Sequence, residues 1–359
     1  MRKLKIAYLL HWNDGPASGV FKKVVRQTKI WQETGHQISI HVISRGNWED
    51  DWRDHFPEAK VFYHQYTNFQ SRWRVWRDAA QQLSQLGPSL VYFRYDLYMP
   101  GMGELARRTP LIIEVNTDDY KEFCLQLGLR CLHNRLTRAQ LFSSAAGVVY
   151  TTYELAKRPY FSRFQKPYEV IANGIDLNAI PLTPPPASKH PRLIFMGSDG
   201  LPWHGTDKMV WLAAQKPDWR FDLIGGHHQP DAPANVTFHG ILDRDAYGTL
   251  MADADVAIGS LAAYRKGMDE ACPLKTREYL AFGLPVIIAY QDTDFPHGAP
   301  FLLQLPNTET NVMEHLAQID AFVAAWKGTR VERADVQHLD VAMKEKRRLA
   351  FFERVLRGE

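Results

Sequence analysis

Short apolar runs that alternate with amphipathic stretches constrain this chain more than any other feature. Lys5 to Leu10 reads as a buried strand. A loop with Gly15, Pro16 and Gly19 follows, and Val20 to Thr34 then places Val20, Val24, Ile30 and Trp31 at helical spacing. Gly35, free to take a positive φ, ends that helix, and Ile38 to Ser44 is the next strand. A βαβ unit of this kind implies a parallel sheet. Ser89 to Phe93, Leu111 to Val115, Gly147 to Tyr150 and Glu169 to Ala172 continue the series.

The proline-rich segment Pro181 to Pro191 favours an extended, stiff linker. After it the alternation restarts. Strands are expected at Arg192 to Met196, Phe221 to Ile224 (running into Gly225-Gly226), Val236 to His239, Val256 to Ser260 and Pro285 to Ala289. Thr206 to Lys216 and the terminal Ala342 to Leu356 read as helices. The pattern predicts an α/β fold of two doubly wound, Rossmann-like domains. The expected parts are a first domain over 1–178, a linker over 179–191, a second domain over 192–341 and a terminal helix over 342–359 that packs back on the first domain. A length of 359 residues suits two domains, at roughly 150 residues each.

Composition narrows the function. Lys and Arg total 43 against 40 Asp and Glu, so the net charge of +3 is too balanced for nucleic acid as the main partner. Cys124, Cys131 and Cys272 form neither a disulfide framework nor a zinc-type spacing, which suits a reducing cytoplasm. The basic start Met1-Arg2-Lys3-Leu4-Lys5 precedes an apolar run too short for a signal peptide. No apolar run reaches the roughly 20 residues that span a bilayer. His204 and His227-His228 lack an acidic ligand pattern, so no metal is expected.

The chemistry is concentrated in the segment from Glu270 to Ile287. Two carboxylates, Glu270 and Glu278, flank Cys272-Pro273-Leu274-Lys275-Thr276. Proline suits the first turn of a helix, so the amides around Leu274, Lys275 and Thr276 would stand free at a helix start, a natural phosphate site. Lys275 adds positive charge there. Glu278, about one turn further, could accept hydrogen bonds from a ribose diol, and Glu270 could face a sugar.

Glu270 and Glu278 resemble the Glu-x7-Glu motif of retaining GT-B glycosyltransferases of the family 4 type. The resemblance covers nearly the whole chain. Gly35-His36, Val91 to Tyr95, Leu111 to Asn116, Asn173-Gly174-Ile175-Asp176, Phe195 to Ser198 and Trp203-His204-Gly205 are similar to further segments of that family. Ala172 stands where the family usually has proline. The resemblance implies two Rossmann-like domains facing across a cleft, the first taking the acceptor and the second the nucleotide-sugar donor. It implies transfer with retention, no bound metal and no cofactor beyond the donor. Glu278 would bind the ribose, Glu270 the transferred sugar, and the Leu274 and Lys275 amides the diphosphate. Gly19 would let a loop approach the donor, and Gly197, Ser198, His204 and Thr276 would complete the donor site.

Three positions depart from the family. Ser198 and His204 stand where many relatives carry Arg and Lys, and Asn116 where many carry a catalytic-site histidine. His204 would serve a phosphate only if protonated. Asp118 and Asp119 are alternatives to Asn116, or else cap a helix or an Asx turn. No general base is assigned.

Two stretches, Val20 to Lys29 and Arg72 to Arg77, mix cations with apolar residues and suit peripheral docking on the inner face of an anionic membrane that carries a lipid-linked acceptor. A solvated helix face over a tryptophan core is the plainer reading. The expected activity is sugar transfer to a glycan or lipid-linked acceptor in surface polysaccharide or glycoconjugate synthesis. A GT-B-type nucleotide-sugar epimerase, or a non-catalytic nucleotide-sugar or glycan binder, are the alternatives.

Overall fold

The computed structural model describes residues 3–16, 18–124, 128–198, 200–225, 229 and 231–359. Met1, Arg2, Gly226 and the pair His227-His228 lie outside the described residues. The chain divides into two units, Met1–Ala172 with Val341–Glu359, and Asn173–Asp340.

The first unit holds seven parallel strands: β1 Lys5–His11, β2 Gln37–Ser44, β3 Lys60–Gln65, β4 Leu90–Arg94, β5 Leu111–Val115, β6 Gly147–Tyr150 and β7 Tyr168–Val170. Their spatial order is β3-β2-β1-β4-β5-β6-β7. Its helices are α1 Gly19–Glu33, α2 Glu49–Asp54, α3 Phe69–Leu86, α4 Met102–Arg108, α5 Asp119–Glu122, α6 Leu129–Ser144, α7 Tyr153–Lys157 and α8 Pro159–Ser162. The central strands β1, β4 and β5 are buried along nearly their whole length, as expected of a parallel sheet with helices on both faces.

Local signals set the helix ends. The Ser18 side chain accepts the Phe21 amide at 3.1 Å to start α1, and Gly35 follows its end at φ 90°. Asn68 and Ser71 form a reciprocal capping box at the start of α3. Strand β3 escapes the apolar pattern because it lies at the sheet edge and its residues are only half-buried.

The second unit repeats the plan with six parallel strands in the order β10-β9-β8-β11-β13-β15. These are β8 Arg192–Met196, β9 Arg220–Ile224, β10 Val236–Gly240, β11 Val256–Ile258, β13 Val286–Ile288 and β15 Leu302–Gln304. A separate short pair joins β12 Glu270–Ala271 to β14 Gln291–Asp292. The helices are α9 Thr206–Gln215, α10 Arg244–Asp253, α11 Leu274–Ala281, α12 Asn311–Glu314 and α13 Leu316–Trp326. Ile194, Ala257 and Ile288 pack on one face of the sheet, and Leu193, Phe195, Ile258 and Ile287 on the other. Residues 181–191 form neither helix nor strand.

The last helix, α14 Val341–Arg357, belongs to the first unit. Phe352 packs against Trp31 and Tyr92, with ring centroids 5.6 and 5.2 Å away. Glu345 accepts hydrogen bonds from Gln27 Nε2 at 3.0 Å and Trp31 Nε1 at 2.8 Å. Among the described residues no helix is long and apolar enough to cross a membrane.

Two expectations change. Cys124 and Cys131 are joined as a disulfide, with Cα atoms 4.9 Å apart, whereas Cys272 is free and buried. A spacing of seven residues does not by itself reveal this pairing. Helix α1 turns Phe21, Val24 and Trp31 into the core, so the apolar face that membrane docking would use there is already covered.

A fully buried carboxylate, Glu114 on β5, ties the first unit together. It pairs with Lys23 of α1 at 2.8 Å, Arg94 of β4 at 3.4 Å and Arg348 of α14 at 3.5 Å. Burial alone would raise its pKa, but Lys23, Arg348 and Arg94 outweigh burial and hold it below the usual carboxylate range. Glu114→Gln should strand these cations and cost about 3–5 kcal/mol in urea unfolding at neutral pH. A folded-state pKa below the unfolded one means the stabilisation is present above about pH 4.3 and lost as pH falls. The gap between the two proteins should therefore narrow in acid.

Candidate active site

In the second unit strand order reverses between β8 and β11, so the carboxyl ends of these strands frame the usual ligand crevice of a doubly wound sheet. Phe195 and Gly197 stand at the end of β8. Lys275 Nζ lies 4.2 Å from the Phe195 ring centroid, and the His204 ring lies 5.4 Å from it. A Cβ at 197 would come within 2.6 Å of the Phe195 ring and 2.8 Å of the His204 ring, so any larger residue would have to displace them.

Helix α11 starts after Pro273, which takes the N-cap position rather than the first turn. The Leu274 and Lys275 amides precede the first helical hydrogen bond. The Thr276 amide already donates to Pro273 O at 3.1 Å, and its buried hydroxyl bonds Tyr290 at 2.7 Å. Thr276 thus braces the turn, while the two preceding amides stand ahead of the first helical hydrogen bond.

Lys275 is the unusual group. Its residue is half-buried, but its Nζ is shut off from solvent and finds no hydrogen-bond partner among the described residues. Burial, then the positive charge of Lys266, pushes its pKa well below the ordinary lysine value. Arg277, two positions on, is the opposite case. It pairs with both Asp292 oxygens at 2.7 Å and Asp294 at 2.9 Å, and its Nε donates to Asn173 O at 3.1 Å. Asn173 Nδ2 in turn donates to Cys272 O at 2.8 Å. These bonds hold the loop that carries Glu270 and the start of α11. They also give Asn173 a physical role: its side chain fastens that loop.

Glu270 is buried on β12 beside β14. Glu278, in the second turn of α11, accepts the Tyr247 hydroxyl of α10 at 2.7 Å. Tyr279 is buried and its oxygen accepts the Met196 amide at 2.6 Å, tying α11 to β8. Neither tyrosine carries a sequence signal, because both partners are remote along the chain.

His204 Nδ1 lies 3.1 Å from the Ser198 carbonyl, which can only accept, so Nδ1 carries the proton. Burial, then Lys275, lowers the His204 pKa to about 3. A protonated His204 as second phosphate cation is therefore disfavoured near neutrality, and Ser198 contributes its carbonyl to the same turn. The Asp199 position lies outside the described residues.

In the first unit Gly19 is the exposed first residue of α1. Asn116 follows β5 and its Oδ1 accepts Lys23 Nζ at 3.2 Å. Asp118 caps α5 through the Lys121 amide at 3.3 Å and also accepts the Tyr160 hydroxyl. Asp119 is buried under Arg138, at 2.8 and 3.0 Å, with Tyr95 at 2.9 Å and Asn134 at 2.7 Å. Both aspartates serve local structure, as capping and buried pairing require.

A further cluster lies at the carboxyl ends of β1 and β4, where this sheet also reverses order. Asp96 pairs with His11 at 2.8 Å, Arg72 at 2.7 Å and Arg130 at 2.8 Å. Burial would raise its pKa, but His11, Arg130 and Arg72 bring it to about 2. The one sequence signal for this cluster is His11, which breaks the first apolar run.

No protein-family model matches the sequence, and no curated protein is similar to it. The structure does have known counterparts. It is similar to Alr3699/HepE of Anabaena in complex with UDP and glucose, at 15% identity over 98% of this chain and 99% of that one, with a TM-score of 0.63. Sucrose-phosphate synthase (tll1590) of Thermosynechococcus elongatus gives 14% over 99% and 97%, with a TM-score of 0.64. WaaG, a glycosyltransferase involved in lipopolysaccharide biosynthesis, gives 16% over 99% and 100%, with a TM-score of 0.65. Their fold, GT-B with two Rossmann-like parallel-sheet domains, is the fold of this chain. Identity at this level speaks for the fold alone.

The His204 ring is expected to stay neutral between pH 5 and 8, with its Cε1 resonance flat in an NMR titration. A midpoint near 6.5, the unperturbed histidine value, would contradict its buried, lysine-facing setting.

Proposed function

We propose that the chain transfers a sugar, with retention, from a nucleotide-sugar donor to a glycan or lipid-linked acceptor. The observation that carries this reading is the Lys275 amine at the start of α11, whose Nζ is shut off from solvent with no hydrogen-bond partner among the described residues. Burial disfavours its charged form, and an anion docking there would favour it again. A diphosphate supplies that anion, and the Leu274 and Lys275 amides add donors along its edge.

The other roles follow. Glu278, steadied by Tyr247, accepts from the ribose. Glu270 meets the hydroxyls of the transferred sugar. As the sugar bond breaks, charge gathers on the leaving diphosphate, where Lys275 and the helix amides stabilise it without a metal ion. The second unit is the donor domain and the first, with Asn116 at its strand ends, the acceptor domain. UDP-sugars are the first donors to try, since UDP and glucose occur together in the Alr3699/HepE complex. The enzyme would work in surface polysaccharide or glycoconjugate synthesis at the cytoplasmic face of a membrane. A second reading, a nucleotide-sugar binder without turnover, draws on the structural engagement of Asp118 and Asp119.

Thermal stabilisation by UDP-, GDP- and ADP-sugars tests the donor. A ligand at 100 times its Kd should add about 2.7 kcal/mol. No stabilisation by any of them overturns the donor site, whereas stabilisation without product from any acceptor favours the binder. Lys275→Met should raise the melting temperature of the ligand-free protein while weakening nucleoside diphosphate binding by about 1.5–3 kcal/mol and leaving the nucleoside nearly unaffected. Unchanged diphosphate affinity removes Lys275 from the site. Glu278→Ala should weaken nucleotide and nucleoside alike by about 1.5–3 kcal/mol, in calorimetric titration. Transfer is expected to persist in EDTA, and its loss there would refute metal independence.

A further inference from the structure

Helix α6 carries a second pattern that the donor site does not use. Leu129, Leu132 and Leu136 follow the i, i+3, i+7 spacing of one helix face, and they are 84%, 55% and 70% exposed. Helix α3 adds Phe69, 69% exposed, and Trp73, whose rings meet at a tilt with centroids 5.6 Å apart. Trp73 meets His133 of α6 edge-on at 5.7 Å, so the two apolar stripes join. Single exposed leucines are ordinary, but a joined set of five large side chains marks an interaction surface.

Charge identifies the occupant. Helix α6 holds Arg130, Arg135 and Arg138 and no acid, and α3 holds Arg72, Arg74 and Arg77 against Asp78 alone. Arg74, Arg77, Arg130 and Arg135 are exposed, whereas Arg138 is buried on Asp119. An apolar stripe bordered by arginines is the pattern of a helix lying in the interface of an anionic bilayer.

Topology says where this surface lies. Helix α3 follows β3, and α6 follows β5 after the short α5, so the chain enters both helices from the carboxyl edge of the sheet. Arg72 and Arg130 make the link explicit, since both reach Asp96 just beyond β4. Phe69, Trp73, Leu129, Leu132 and Leu136 all lie in the N-terminal halves of the two helices.

We propose that the N-terminal halves of α3 and α6 dock the first unit on an anionic lipid surface, placing the carboxyl edge of its sheet next to the bilayer. An amphipathic, lipid-linked acceptor would meet that edge without leaving the membrane. The surface stands on its own observations, and only the acceptor rests on the transfer reading.

Co-sedimentation of the full chain with vesicles tests the surface without donor or acceptor. The protein should pellet with vesicles of mixed phosphatidylglycerol and phosphatidylcholine and stay in solution with phosphatidylcholine alone. Salt should weaken the binding. The combined Leu129→Ser, Leu132→Ser and Leu136→Ser variant should lose at least about tenfold in vesicle binding, and Arg74→Glu with Arg77→Glu should remove the preference for anionic lipid. All five side chains are exposed, so folding, checked by circular dichroism, should persist. The proposal is overturned by no pelleting with anionic vesicles, by equal pelleting with neutral ones, or by a triple serine variant that binds like the parent. Self-association that the triple variant abolishes, without vesicle binding, would assign the face to a second copy instead. Each of these outcomes leaves donor binding to be judged separately.

Discussion

The burial of Glu114 sets the terms for the first unit. A carboxylate with no access to water persists only when cations surround it. Here they come from α1, β4 and the C-terminal helix α14, three elements far apart in sequence. The ion cluster and the Trp31–Phe352 packing therefore act together, and α14 is a core element rather than an appendage. The same lysine that meets Glu114 also orients Asn116, so the candidate acceptor edge inherits its geometry from the core.

The second unit answers a similar problem on one short helix. Arg277 and Lys275 are both buried cations near the start of α11, yet their surroundings differ completely. Arg277 is saturated by Asp292, Asp294 and the Asn173 carbonyl, so its charge is spent on holding the loop. Lys275 sits over an aromatic ring with no hydrogen-bond partner among the described residues. A rigid support beside a buried amine without a hydrogen-bond partner is the setting that the proposed anion site draws on.

Surface and core also divide residues that look alike in sequence. Trp73 and Trp76 belong to one alternating run of cations and tryptophans. Trp76 is fully buried in the core, while Trp73 lies at the surface against Phe69 and His133. Likewise the basic stretch of α1 turns its apolar side inward, whereas α6 leaves Leu129, Leu132 and Leu136 outside and buries Leu141. Which side of a helix is covered depends on its neighbours across the sheet.

The periodicity of the sequence determined the βα alternation and the terminal helix, and placed the start of α11 to within a residue, because each depends on nearest-neighbour spacing and backbone preference. Edge strand β3 was not legible, since half-buried positions weaken the apolar pattern. The Glu270 and Glu278 pair could be read as a motif, but not the supports that give it shape. Tyr247 reaches Glu278 from 31 positions away and Asn173 reaches Cys272 from 99, while Tyr279 ties α11 to Met196, 83 positions back. Only the tertiary structure decided that Thr276 braces the turn, that His204 is kept neutral, and that Asp118 and Asp119 are bound locally. Charge state and hydrogen-bond partners depend on which distant groups share a desolvated space, and no spacing along the chain encodes that.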